Sequence, residues 1–224
     1  LRDSARFNSY FPGPNLETVH GLQQSATGSG EALVYMVGAA GMGKTHLLQA
    51  ACYDAAQSRR TTGYLPLQEL LAYTVAVFDD LEQLDLICID DVTAIAGQDD
   101  WERGLFDLFN RVRQSGGTLL IAADKRQDQA GFRLPDLVSR LGWGVTYVLR
   151  PLDDADMLAA LSCRAAGRGL ELPEETASFL LKRIPRDPAS VFNLLDRLDE
   201  ASMIEQRRLT IPFVKSVLAD LAAG

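Results

Sequence analysis

At 224 residues, 47% hydrophobic and 23% charged, the chain has room for one large domain and a smaller one and enough apolar content for a core, which excludes disordered and low-complexity classes. A net charge of −8 argues against a broad duplex-binding face, since neutralising phosphates takes clustered Lys and Arg. No apolar run approaches the roughly 20 residues of a membrane span, and neither an initiator Met nor a charged-then-apolar leader stands at Leu1, so the expectation is a trimmed cytoplasmic protein with no membrane partner.

From "ALVYMVG" onward, short apolar runs alternate with helical patterns: "THLLQAACYDAAQ"; "TGYLPL" and "QELLAY"; "LDLICID" and "WERGLFDLFNRVRQ"; "GTLLIAAD" and "LPDLVSRL"; then "GVTYVL". Strand then helix, repeated, predicts an α/β doubly wound parallel sheet with helices on both faces over 1–150. After Pro151 the strand signal stops. Four stretches with apolar residues at three and four spacing predict a small helical domain over 151–224, with Pro173 and Pro212 in first turns and Gly167 or Gly169 closing the first helix. Cys52, Cys88 and Cys163 lie far apart without CxxC spacing and read as reduced core residues, and His20 and His46 have no partner at metal-ligand spacing.

The run "GAAGMGKTH" carries the first chemistry. Gly38, Gly43, Lys44 and Thr45 satisfy G-x-x-x-x-G-K-[ST] between a predicted strand and a predicted helix, and Gly41, Met42 and His46 complete the phosphate-binding stretch. Glycines let backbone N–H groups turn around the phosphates at a helix N-terminus; Lys44 reaches their charge, and the Thr45 hydroxyl can ligate Mg²⁺. In "LDLICIDDV", Asp90 ends an apolar strand as the candidate metal carboxylate. Asp91 stands where a water-activating carboxylate belongs, one methylene shorter than Glu, which predicts slow hydrolysis. Asp124, after "TLLIAA", is either a sensor of the γ-phosphate or part of a surface turn.

"GMGKTH", "ICIDDV", "LVSRLGWG" and "FNSYFPGPN" together resemble the AAA+ module of the bacterial DnaA initiator family, and "FDLFNR", "LPDLVSRL", "ELPEE", "FLLKR" and "LTIPFVK" bring the likeness closer to its shorter Hda branch. The resemblance covers the whole chain and implies an AAA+ domain followed by a helical lid. It places Phe11 and Pro12 against an adenine, the alternative being a loop packed on its own core. It makes Arg140 an arginine finger offered across an interface to a neighbour's γ-phosphate, the alternative being a pair with Asp136 four residues earlier. The lid arginine that would face the phosphates is replaced by Ala189, and Arg186 could substitute only within a backbone constrained by Pro185 and Pro188. No DNA-reading helix-turn-helix follows the final lid helix.

The resemblance therefore implies a regulator, holding ADP or ATP with Mg²⁺, that stimulates ATP hydrolysis in a DnaA-type initiator together with the DNA-loaded sliding clamp. The clamp would bind a segment upstream of Leu1, and a homo-oligomer is compatible with the module. ADP is the expected resident nucleotide and intrinsic ATPase activity should be weak. Two alternatives remain open from the residues: a self-sufficient, helicase-loader-like ATPase, and an initiator fragment truncated before its DNA-binding domain.

Overall fold

The computed structural model describes residues 5–167, 169–183, 188–205 and 208–223. Contacts within the chain gather into two units, Leu1–Arg150 and Pro151–Gly224.

Continuous apolar runs are stable as strands only where both sheet faces are covered, and the first unit is built on that condition. Its strands are Leu33–Val37 (β1), Thr62–Pro66 (β2), Leu86–Asp90 (β3), Thr118–Ala123 (β4) and Val145–Val148 (β5). They pair in parallel in the order β2-β3-β4-β1-β5. Every residue of β1, β3 and β4 is buried, whereas the edge strands β2 and β5 are largely half-exposed and correspondingly mixed in composition. Pro66, which cannot donate to a ladder, ends an edge strand.

The unit's helices are Leu16–Thr27 (α1), Lys44–Gln57 (α2), the single turn Leu67–Leu70 (α3), Asp99–Ser115 (α4) and Pro135–Leu141 (α5). Alternate strand residues sort to opposite faces. Val34, Met36, Cys88 and Leu120 pack with Leu22 of α1 and Leu47 and Leu48 of α2. Tyr35, Ile87, Ile89 and Ile121 pack with Leu67, with Leu105 and Leu108 of α4, and with Leu137 and Leu141 of α5. Each such Leu, buried completely, contributes about 1.5–3 kcal/mol of transfer free energy. Both covered faces make the sheet doubly wound.

The helix α1 is absent from the alternating pattern because it precedes the first strand, and its stripe of Val19, Leu22 and Ala26 is diluted by polar residues. The α4 helix carries Trp101, Leu105, Leu108, Phe109 and Val112 on one buried stripe, with Asp99, Asp100 and Glu102 in its first turn, where the helix dipole favours negative charge.

The second unit holds Asp154–Gly167 (α6), Glu174–Leu181 (α7), Pro188–Glu205 (α8) and Ile211–Ala223 (α9) around Met157, Leu161, Leu180, Leu195, Leu198 and Phe213. Gly169, at φ 74, closes α6 through its N–H to the Ala166 carbonyl. Pro173 is the residue capping α7 rather than one inside it, and Pro212 lies in the first turn of α9. One cysteine departs from expectation: Cys52 and Cys88 are buried, but Cys163 is exposed, because the α6 repeat turns Met157, Ala160, Leu161 and Ala165 inward and leaves position 163 on the opposite side.

Candidate functional site

Strand β1 ends at Val37 and α2 begins at Lys44, so Gly38 to Gly43 form a tight loop at the carboxyl edge of the sheet, where open α/β sheets bind ligands. Gly41 and Gly43 sit at φ 82 and 84, in the left-handed region where a side chain is strained. At Gly43 a Cβ would also meet the Tyr10 ring at 2.8 Å. The start of α2 follows this loop directly, and a helix N-terminus, with N–H groups lacking intrahelical acceptors, suits an anion. Lys44 is 9% exposed, and its Nζ donates to the Gly38 carbonyl at 2.8 Å and the Ala39 carbonyl at 3.3 Å.

The next residue reaches a different strand. Thr45 Oγ1 donates to Asp90 Oδ2 at 2.6 Å, Tyr64 OH donates to the same oxygen at 2.7 Å, and the Asp91 N–H reaches Asp90 Oδ1 at 3.0 Å. Asp90 is buried, so these donors are what make its carboxylate tolerable there. Burial, then hydrogen bonding to Asp90, push the Tyr64 hydroxyl well above its ordinary value, keeping it a donor. Thr45 and Asp90 thus stand together as candidate holders of a divalent cation. Among the described residues no group of three or more His, Cys, Asp or Glu could hold a metal. A Mg²⁺ at this pair would therefore need phosphate and water oxygens to complete its shell, as Mg²⁺ usually does. The residues present fit both groups: a nucleotide's phosphates at the loop and the cation beside them.

Asp91 follows in the left-handed conformation at φ 53, a strained position for a non-glycine residue. Although it lies at the surface, incomplete hydration and then the charge of Asp90 raise its carboxyl above the ordinary value, with Lys44 opposing and Asp124 adding to the rise. Asp124 is exposed directly after β4, near enough to act on Asp91.

The N-terminal segment is strapped to this loop. Phe7 is buried beside α2, the Tyr10 hydroxyl donates to the Met42 carbonyl at 3.2 Å, and burial pushes that hydroxyl up to about 12. His46 Nε2 lies 2.9 Å from the Arg6 carbonyl oxygen and 3.3 Å from Ser9 Oγ. Phe11 and Pro12 are half-buried in the same segment. Asn15 exchanges two hydrogen bonds with the Arg150 backbone, at 2.9 and 2.7 Å, which anchors the segment where the first unit ends. Sequence reasoning missed Tyr10, Asn15 and Tyr64; the aromatic character of "FNSYFPGPN" pointed to the right segment but not to the ring that covers Gly43.

Arg140 lies in the last turn of α5 and has different company. Its guanidinium carbon is 3.9 Å from the centroid of the Trp143 ring, which is 51% exposed and also takes the Arg113 guanidinium at 4.5 Å and the Phe109 ring edge-on. Arg140 Nε is buried without an acceptor, and no ion pair joins this residue to Asp136. Arg186 lies outside the described residues. Position 189 falls in the first turn of α8.

A family model for the bacterial DnaA ATPase domain matches residues 1–148, and one for the Hda lid domain matches residues 154–218. Domain III of the Thermotoga maritima replication initiation protein DnaA superposes with a TM-score of 0.84 at 22% identity, covering 98% of both chains. The AMPPCP-bound DnaA of Aquifex aeolicus gives 0.76 at 21% identity, over 88% of this chain and 66% of that one. The Thermotoga maritima RuvB branch migration motor gives 0.67 at 18%, over 96% and 74%. At such identities the solved structures establish the fold, an AAA+ P-loop sheet. Among the described residues no helix is long and apolar enough to cross a membrane. The chain belongs to the family of bacterial DnaA ATPase domains, and its C-terminal helical unit matches the lid of the Hda branch.

Proposed function

We propose that this chain is an Hda-type regulator of bacterial replication initiation that binds a nucleotide as a conformational ligand and presents Arg140 in trans to ATP held by a DnaA-type initiator. ADP with Mg²⁺ is the working ligand, and the DNA-loaded sliding clamp, engaged through a segment upstream of Leu1, brings the two proteins together in the cytoplasm. The observation that carries this reading is the environment of Arg140: a guanidinium stacked on an exposed indole and, among the described residues, paired with no carboxylate.

The loop N–H groups and Lys44 bind the resident phosphates, while Thr45 and Asp90 orient a Mg²⁺ that would neutralise phosphate charge. Asp91, one methylene shorter than Glu, reaches less far toward an attacking water, which favours a retained nucleotide. Arg140 offers a planar fork of donors to the charge that grows on a partner's transferring phosphoryl group. Asp91 beside the Thr45–Asp90 pair also favours a second reading, a self-sufficient ATPase, whose turnover should reach at least the roughly 1 per second of ordinary enzymes.

The test uses full-length protein, DNA-loaded clamp and ATP-bound initiator. Arg140→Ala should lower initiator hydrolysis by about 10³- to 10⁵-fold while leaving this chain's ADP affinity and Tm nearly unchanged. Normal initiator hydrolysis together with loss of this chain's own nucleotide would make Arg140 a cis ligand and end the reading.

A further inference from the structure

Glu102, on the first turn of α4, is 1% exposed, and nothing described so far uses it. Its carboxyl group takes three backbone N–H donors. Gly97 donates to Oε1 at 2.6 Å, Leu134 donates to Oε2 at 2.8 Å, and Arg133 reaches both oxygens at 3.1 and 2.8 Å. A carboxyl so deeply buried is held in place by those donors, and each donor's segment is held by it.

The donors come from two places that matter. Gly97 closes the segment leaving the candidate metal strand. Asp91 there bonds Asp90 through its N–H and accepts from Ala94 N–H at 2.9 Å; Ile95 accepts from Gln98 N–H at 3.0 Å, and Gln98 accepts from the Glu102 N–H at 2.9 Å. Arg133 and Leu134 immediately precede α5, and Leu134, its capping residue, makes no side-chain cap bond. At the other end of α5 is Arg140. Val92 and Ile95 belong to the same buried cluster as Leu137 and Leu141, so the two segments border one core as well as being tied to one carboxyl group.

We propose that Glu102 is a positioning residue that transmits the state of the nucleotide site, felt at Asp90 and Asp91, to the start of α5 and so sets how Arg140 is presented. This deepens the regulator reading and rests on it. The left-handed Asp91 is the strained point at which a change around Asp90 is taken up, and hydrogen bonds between Asp91 and Ala94, from the Gln98 side chain to the Ala94 carbonyl at 3.0 Å, and from Glu102 to Gln98 carry it to the carboxyl that holds Gly97. Both oxygens of Glu102 are committed, so Gly97 cannot shift without disturbing the bonds to Arg133 and Leu134. A coupling of this kind needs one rigid joint between two movable segments.

Hydrogen exchange on the full-length protein, with and without Mg²⁺–ADP, tests the idea without any partner. In the unmodified chain, ADP should alter exchange both at 38–46 and at 131–141. Glu102→Gln, whose amide turns an NH₂ toward backbone donors, should keep the first response and the ADP affinity but lose the second; Glu102→Asp should restore part of it. With initiator present, the same Gln variant should lower the maximal hydrolysis rate while leaving the half-saturating concentration unchanged. An unmodified chain in which 38–46 responds and 131–141 does not overturns the proposal, even if Glu102→Gln fails to fold. So does a Gln variant whose 131–141 response equals that of the unmodified chain. Coupled exchange with no stimulation of the initiator would support Glu102 and refute the regulator reading instead.

Discussion

Lys44 and Arg140 are both cations near helix ends of one unit, yet their surroundings differ in kind. Lys44 is 9% exposed and donates to two carbonyls of its own loop. Arg140 leans on an exposed Trp143 and keeps a buried Nε without an acceptor. A charge with local oxygens around it is poised for a ligand of its own chain. A charge oriented by stacking is what the proposed role in trans requires, because stacking fixes a guanidinium's plane and leaves its terminal NH₂ groups, not the buried Nε, to meet an acceptor. Within one domain, these surroundings separate a cation enclosed by its own loop from one stacked beside an exposed ring, and the proposed division of roles rests on that difference.

That contrast can be broken first at the loop. Beyond the loss expected from Arg140→Ala, Lys44→Ala should weaken ADP binding by about 10²-fold, the scale of losing a charged hydrogen-bond donor to phosphate, as calorimetric titration would show. If Lys44→Ala leaves ADP affinity intact, the loop is only a turn and the inward member of the pair has no role in binding.

The outward member is sharpened by its support. Trp143→Ala should reduce stimulated initiator hydrolysis by only about threefold, since an exposed cation–π contact is worth about 0.5–1 kcal/mol, and Trp143→Phe should recover part of the loss. A loss as large as that of Arg140→Ala would mean the indole itself touches the partner's site.

The smallest effect concerns Asp91. Its carboxyl is raised in the folded chain by partial desolvation and the Asp90 charge, so ionising it costs folding stability above that raised value. Asp91→Asn should therefore raise the Tm at neutral pH, by no more than about 2 °C given solvent screening. The gain should vanish as pH falls below the ordinary 3.8, where folded and unfolded chains are both protonated. A gain that persists at low pH would locate the effect in backbone strain at φ 53 rather than in charge.

Whatever depends on neighbours along the chain was legible in the sequence. Five strands, the glycine loop after β1 and the acid that ends β3 follow from short-range rules: apolar runs need two covered faces, tight left-handed turns favour glycine, and an apolar strand stops at a charge. The helix α1 escaped because its apolar stripe is thin and lies outside the strand–helix rhythm. Glu102 escaped for a different reason: in the first turn of α4 it reads as a solvated helix-dipole residue, and only the arrival of Gly97, Arg133 and Leu134 buries it. Pairing of Arg140 with Asp136 is reasonable from i, i+4 spacing, but the guanidinium stacks on Trp143, three residues on, and that ring is fixed by Phe109 and Arg113 from a distant segment. Sequence by itself determined the five parallel strands, the glycine loop between β1 and α2, and the acid at the end of β3. Tertiary structure decided the company of Tyr10, Tyr64, Glu102 and Arg140, because a side chain's hydration and its long-range partners exist only after distant segments have packed together.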